Sequence, residues 1–273
     1  MLLDGALQSP VLSLFSSTSS HPTLLAQLQV SDSCASDSFI SLLDDATDAH
    51  EQLLGWAGSS AADLEARSAS LGQLRKNQDA HPGGEGIEVK MKDLASRALH
   101  LQGPDCRTTS AKWGSWEKGK WREEGLRIEL PLMHIQLKDL GQTMYLDIGV
   151  LDEAGDLTVV RCSTWQTYPK VQAATPSHPR LLHLPLAFPS SSPSSHTTPL
   201  LSRWTTLALP LHTLLLSLPA PSPRFKAVLG VEIHATCRLR RIWFSAEGAA
   251  PNEVGEEELR RGIMPEMAMF AAA

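Results

Sequence analysis

The sequence has no dense cysteine framework: Cys34, Cys106, Cys162 and Cys237 are spread along 273 residues without a CxxC pair. Disulfide-stapled small scaffolds are thereby excluded, and reduced thiols in an intracellular protein are expected. Long apolar runs are missing too. The most apolar stretch, "LALPLHTLLLSLP", holds two prolines and His212 and is too short to cross a bilayer, so no membrane segment is expected. The opening "MLLDGALQSP" has no basic flank and carries Asp4, which makes a poor secretion signal. There is no excess of positive charge. With 24 Lys plus Arg against 30 Asp plus Glu, the net charge of -6 opposes phosphate backbones and anionic lipid, so no nucleic acid is expected as a partner.

Chemistry-bearing motifs are absent as well. The chain has no Walker A sequence, GxGxxG, GxSxG, HExxH or EF-hand loop, and no Ser/His/Asp or paired-carboxylate arrangement can be nominated. We therefore expect no enzyme and no cofactor. The ten histidines are scattered; His178 and His183 lie within a strand length of each other but would need a third ligand from the fold, so no metal is expected.

What the sequence does have is β structure. At 42% apolar residues there is material for a substantial core. "LRIELPLMHIQL" reads as two strand-like pieces pinched at Pro131. "QTMYLDIGVLDEAGDLTVVRCS" reads as a hairpin, with Met144, Leu146, Ile148 and Val150 alternating against Tyr145, Asp147 and Gly149. "LLHLPL", "RWTTLALPL", "AVLGVEIHA" and "CRLRRIWFS" continue the series, and prolines 131, 185 and 210 suit strand ends or edges. With helical signals confined to the N-terminal third, the fold expected is mainly β, a jelly-roll-like antiparallel β-sandwich with a short helical insertion.

The insertion is placed at about residues 44–86. Ser60 and Asp63 stand in capping-box spacing ahead of Leu64, Leu71 and Leu74, which fits an amphipathic helix making an excursion between strands. Beyond "HPGGEG", Ile87, Val89 and Met91 alternate with charged residues as in a strand with one wet face. "FPSSSPSSHTTP", residues 188–199, is expected to be a surface loop. A single domain over residues 1–259 and a flexible tail over 260–273 complete the layout.

Two clusters bear on function. In "KWGSWEKGKW", Trp113, Trp116 and Trp121 are interleaved with lysines, a pattern that either stacks on bases or sugars or caps an open end of the sandwich. In "GVEIHATCRLRRIWFS", Val231 and Ile233 share one face and Glu232 and His234 the other. The doublet Arg240 and Arg241 breaks the alternation, which predicts a bulge before Ile242 and Phe244 regain the inner face. Cys237 falls on the inward phase as a buried, inert thiol. Arg238, Arg240 and Arg241 are then a cationic row on an outer face, paired either within the chain or with carboxylates of a partner.

These segments resemble the family of cilia- and flagella-associated protein 20. "VEIHATCRLRRIWFS" is similar to its C-terminal strand pair at His234, Ala235, Cys237, Arg238, Arg241, Phe244 and Ser245. "RCSTWQTYPKV" agrees at Arg161, Ser163, Gln166 and Val171, with Trp165 in place of another aromatic, and "LRIELPLMHIQLKDL" and "LQSPVLSLFSSTSSHP" resemble earlier strands. The resemblance implies a non-enzymatic structural protein of ciliary or flagellar axonemes or centrioles and basal bodies. It implies binding to tubulin, microtubules or axonemal structural proteins through a sheet face, with Arg238, Arg240, Arg241, Arg161 and His234 as partner-binding candidates. Leu157, Thr158 and Val159 stand where the family has arginines, which fits a divergent paralogue. The alternative reading is a carbohydrate- or protein-binding β-sandwich module without a microtubule role.

Overall fold

In the computed structural model, residues 9–31, 38–56, 62–64, 66, 96–117, 120–121, 125–188, 204–219 and 222–246 are described. Sixteen strands appear among them. The first eight are β1 (Val11–Ser16), β2 (Ala26–Val30), β3 (Phe39–Asp44), β4 (Ala49–Trp56), β5 (Arg97–Gln102), β6 (Thr109–Gly114), β7 (Trp116–Glu117) and β8 (Lys120–Trp121). Then follow β9 (Leu132–Asp139), β10 (Tyr145–Asp152), β11 (Leu157–Ser163), β12 (Lys170–Gln172), β13 (Arg180–Pro185), β14 (Trp204–Pro210), β15 (Phe225–His234) and β16 (Cys237–Ser245).

Alternation builds the layers. Along β10 the apolar positions Leu146, Ile148 and Val150 are fully buried, as is Met144 just before it. The chain turns at Gly155, whose φ of 88° suits a residue without Cβ, and returns as β11 in register from Tyr145 opposite Ser163 to Leu151 opposite Leu157. One sheet runs β14-β9-β16-β5-β3-β4, with β1 also on β16; the other runs β12-β13-β11-β10-β15-β6-β2. Between them lie Leu99, Leu101, Ile135, Leu137, Leu239 and Phe244 from the first sheet. From the second come Trp113, Ile148, Val160, Val231 and Ile233. Each such side chain contributes about 1.5–3 kcal/mol on leaving water. The β-sandwich read from the sequence is the fold observed.

The predicted bulge is present. Pairing of β16 with β9 shifts between Leu239 and Arg241, and at the same place the other flank of β16 passes from β5, which pairs with 237–239, to β1, which pairs with 241–245. The Arg240 carbonyl accepts a bond of 2.8 Å from the Ser17 amide at that switch. The doublet thus accommodates a change of neighbour.

Four expectations are corrected. The second sheet is mixed, because β13 pairs parallel with β11. The three residues of β12 are all exposed and take the outer edge, while β13 carries the buried Leu182 and takes the inner place. A six-residue helix, Leu211–Leu216, follows β14 outside the N-terminal third and buries Leu211 and Leu215. The region from residue 44 is not wholly an excursion, since β4 pairs with β3 from Phe39 opposite Trp56 to Asp44 opposite Ala49. Finally, Trp113 caps no open end: it is fully buried, with its ring centroid 5.3 Å from that of Phe15. Residues 62–64 and 66 are helical, as expected. The remainder of that helix, the strand expected at 87–92, the Pro/Ser stretch beyond Phe188 and the tail lie outside the described residues.

Trp113→Ala removes the largest fully buried side chain among the described residues and is expected to cost about 3–5 kcal/mol. Thermal unfolding followed by circular dichroism should show Tm lowered by about 10 °C or more.

Candidate interaction surfaces

The tight turn from β3 to β4 places two carboxylates over the outer face of the first sheet. Asp44 closes the turn by accepting a bond of 2.9 Å from the Ala46 amide, and Asp48 takes φ of 56°, a region that Asp tolerates. Asp45 is anchored by its amide to the Ser96 carbonyl at 2.9 Å. Its carboxylate accepts from Lys138 Nζ at 3.1 Å, from Trp204 Nε1 at 2.8 Å and from Arg238 Nη1. Arg238 Nη2 reaches Asp48 at 2.6 Å.

Register explains why these groups meet. Ser41 on β3, His100 on β5, Arg238 on β16, Lys138 on β9 and Trp204 on β14 stand opposite one another across five strands. Burial alone would raise the Asp45 carboxyl, but hydrogen bonds from Arg238, Trp204 and Lys138 outweigh it and hold the group below its ordinary 3.8. Burial, helped by the Arg238 charge, brings His100 down to about 4.

The arginine doublet is drawn into the same face. Arg240 lies with its guanidinium carbon 4.1 Å from the Trp204 ring centroid, its Nη2 3.7 Å from Asp45. Arg241 is 4% exposed and sits in register between Ser16 and Gln136. Of the two pairings open for the row, the one observed for Arg238 and Arg240 is with this chain's own carboxylates. The row lies on the outer face of the first sheet beneath these carboxylates, with Arg238 9% exposed.

Arg161 and His234, the other two sequence candidates, lie on the opposite surface of the sandwich. There a second row runs in register across all seven strands: Gln27, Lys112, Glu232, Asp147, Arg161, His183 and Lys170. Arg161 grips Asp147 with two bonds of 2.7 and 2.6 Å, and Lys112 reaches Glu232 at 2.9 Å. His234 contacts Glu232 at 2.8 Å and the Cys106 carbonyl at 3.0 Å, and it stacks on Tyr145 with centroids 3.9 Å apart. Burial would raise Glu232, but bonds from His234 and Lys112 keep it below its ordinary range. The five candidates therefore form two groups on opposite faces.

Three serine hydroxyls lie within hydrogen-bond distance of a histidine ring among the described residues: Ser41 with His50, Ser245 with His134, and Ser163 with His183. Ser163 Oγ stands 2.7 Å from His183 Nε2, yet Ser163 is fully buried, so its hydroxyl is out of a substrate's reach. Burial pushes Cys162 and Cys237 up to about 12, so both remain thiols at neutral pH. The described residues hold no group of three potential metal ligands, and none of their helices is long and apolar enough to cross a membrane.

A family model, that of the CFA20 domain, matches residues 68–260. The chain belongs to the CFA20 domain family. No curated protein matches the sequence significantly. Membership associates this CFA20-domain protein with cilia and flagella. The matched span contains β5 to β16, whereas β1 to β4 and Asp45 precede it.

Beyond the five candidates, the outer surface at β11–β13 carries exposed rings that sequence reasoning did not nominate as a site. Trp165 is 46% and Tyr168 77% exposed, and Trp165 meets both Tyr145 and His183 edge-on, with centroids 5.6 and 6.1 Å away. The signal available was "TWQTYPKV", two aromatics in a stretch with too little apolar alternation to bury them. Of the indoles in "KWGSWEKGKW", Trp113 belongs to the core and offers no stacking surface.

Asp45→Asn leaves Arg238 and Lys138 without their shared carboxylate and is expected to cost about 3–5 kcal/mol, read as a lower urea midpoint. The Asp45 carboxyl is depressed in the folded state, so its contribution is complete above its ordinary 3.8 and disappears as pH falls through the folded value. The variant should lack that acid-dependent component. For His100 the neutral form is favoured by folding, so stability is complete above 6.5 and declines as pH falls toward about 4. Urea titrations of His100→Gln between these limits should show a shallower loss than wild type.

Proposed function

We propose that this CFA20-domain chain is a non-enzymatic structural protein of ciliary or flagellar axonemes or of centrioles, binding tubulin or a microtubule-associated protein through one sheet face. Family membership over residues 68–260 is the observation that carries the reading. The outer surface of the second sheet at β11–β13 is the binding face. Trp and Tyr are the side chains that most often anchor protein interfaces, and here Trp165 and Tyr168 stand exposed beside Lys170 and Arg161. Trp165 is already held by Tyr145 and His183, so little ordering is left to binding. On the first sheet Nη1 and Nη2 of Arg238 are taken by Asp45 and Asp48, which leaves the side chain less to offer a partner.

Co-sedimentation of the purified protein with stabilised microtubules over a salt series tests this. Wild type should bind at low salt, and Trp165→Ala with Tyr168→Ala should weaken binding about tenfold or more with an unchanged circular dichroism spectrum. Undiminished binding by the double variant would move the site elsewhere. Absence of wild-type binding at low salt would exclude tubulin as the direct partner and point to a microtubule-associated protein.

A further inference from the structure

A cleft of about 310 Å3 opens where the turn from β10 to β11 meets the 173–179 turn from β12 to β13. Its walls include Leu157, Ala174 and Pro179 on the apolar side and Arg180, His178 and Asp156 on the polar side. The volume is at the small end of sites that hold organic ligands.

Arg180 sets its chemistry. In the parallel pair it stands opposite Thr158, and both share the core-facing phase of their strands with Val160 and Leu182. The Nη1 atom of Arg180 is buried and has no hydrogen-bond partner among the described residues, and the same is true of Thr158 Oγ1. A buried donor left unpaired is costly, more so when it belongs to a cation. An acceptor, and for a cation an anionic one, is the partner that would satisfy it. A carboxylate suits the site better than a phosphate. Asp156 in the wall opposes a doubly charged group, and Leu157, Ala174 and Pro179 suit an aliphatic stem or a peptide backbone.

We propose that this cleft binds a peptide carboxylate, either a glutamate side chain or a C-terminus, with the Arg180 guanidinium donating to its oxygens. The site goes beyond the microtubule-binding face, since it opens at the end of the second sheet and needs neither Trp165 nor Tyr168.

The test is fluorescence anisotropy with a fluorescein-labelled hexaglutamate, prepared with a free and with an amidated C-terminus. Wild type should bind with an affinity that falls with salt, and binding confined to the free-terminus form would assign the ligand as a chain end. Arg180→Gln should weaken binding at least about tenfold, the effect of a lost charge-assisted bond, without lowering Tm. Arg107→Gln should not, because Arg107 pairs with Asp105 on an exposed turn. Ala174→Trp, which fills the cleft from an exposed position, should abolish binding and decides the matter if Arg180→Gln unfolds. Wild-type affinity in Arg180→Gln or Ala174→Trp would overturn the proposal, as would displacement of the peptide by equimolar inorganic phosphate. Because no microtubule is present, failure here leaves the sheet-face reading standing, and failure of co-sedimentation leaves this site standing.

Discussion

The first sheet depends on one carboxylate. Asp45 sits in a turn, yet it receives hydrogen bonds from β9, β14 and β16, three strands that are far apart in sequence. A guanidinium and an ammonium on neighbouring strands would repel each other in a setting this dry. With Asp45 between them, Arg238 and Lys138 can occupy opposed positions in register. The β3–β4 hairpin is consequently an element of the sheet. Asp45 precedes the residues matched to the CFA20 domain, so the matched region relies on a group outside it.

The second sheet solves the same problem by alternation. Lys112, Glu232, Asp147 and Arg161 stand side by side, so the adjacent acids each have a cation on the far flank. Removing one member strands its neighbour, whereas replacing a whole pair by apolar groups of equal volume costs far less. The benefit of such a row lies in register. A slip of one residue would turn Asp147 and Glu232 into the core and Ile148 and Val231 outward, which no pairing of charges could offset.

Much of this was legible because period two is robust. The alternation from Met144 to Val150, the bulge at Arg240 and Arg241, and the inward phase of Cys237 all follow from local sequence, and the structure has each of them. Partners were not legible. Nothing near Arg238 in the chain announces Asp45 or Asp48, which come from a turn nearly two hundred residues earlier. The split of the candidates between two faces is likewise a property of topology: β15 and β16 adjoin in sequence but belong to different sheets. Trp113 misled because its neighbours Lys112 and Gly114 look like a loop, while its phase on β6 is that of the core.

The distribution of exposed aromatic rings argues for where a partner would attach. In both rows the terminal guanidinium nitrogens of Arg238 and Arg161 and the carboxylate of Glu232 are already held by ion pairs within the chain. Among the described residues, the large exposed aromatic rings lie on the segment joining β11 and β12. Trp165 and Tyr168 are exposed there on the outer surface, and Arg180 keeps an unpaired donor at the sheet end. The same strands contain Leu157, Thr158 and Val159, the positions at which the family resemblance leads one to expect arginines. With those cations absent, the local positive charge comes from Arg180 one strand over, set in a recess in place of a ridge. A partner suited to a ridge of arginines would fit a flat acidic patch, whereas this geometry favours a protruding acidic side chain or chain end, and selects accordingly.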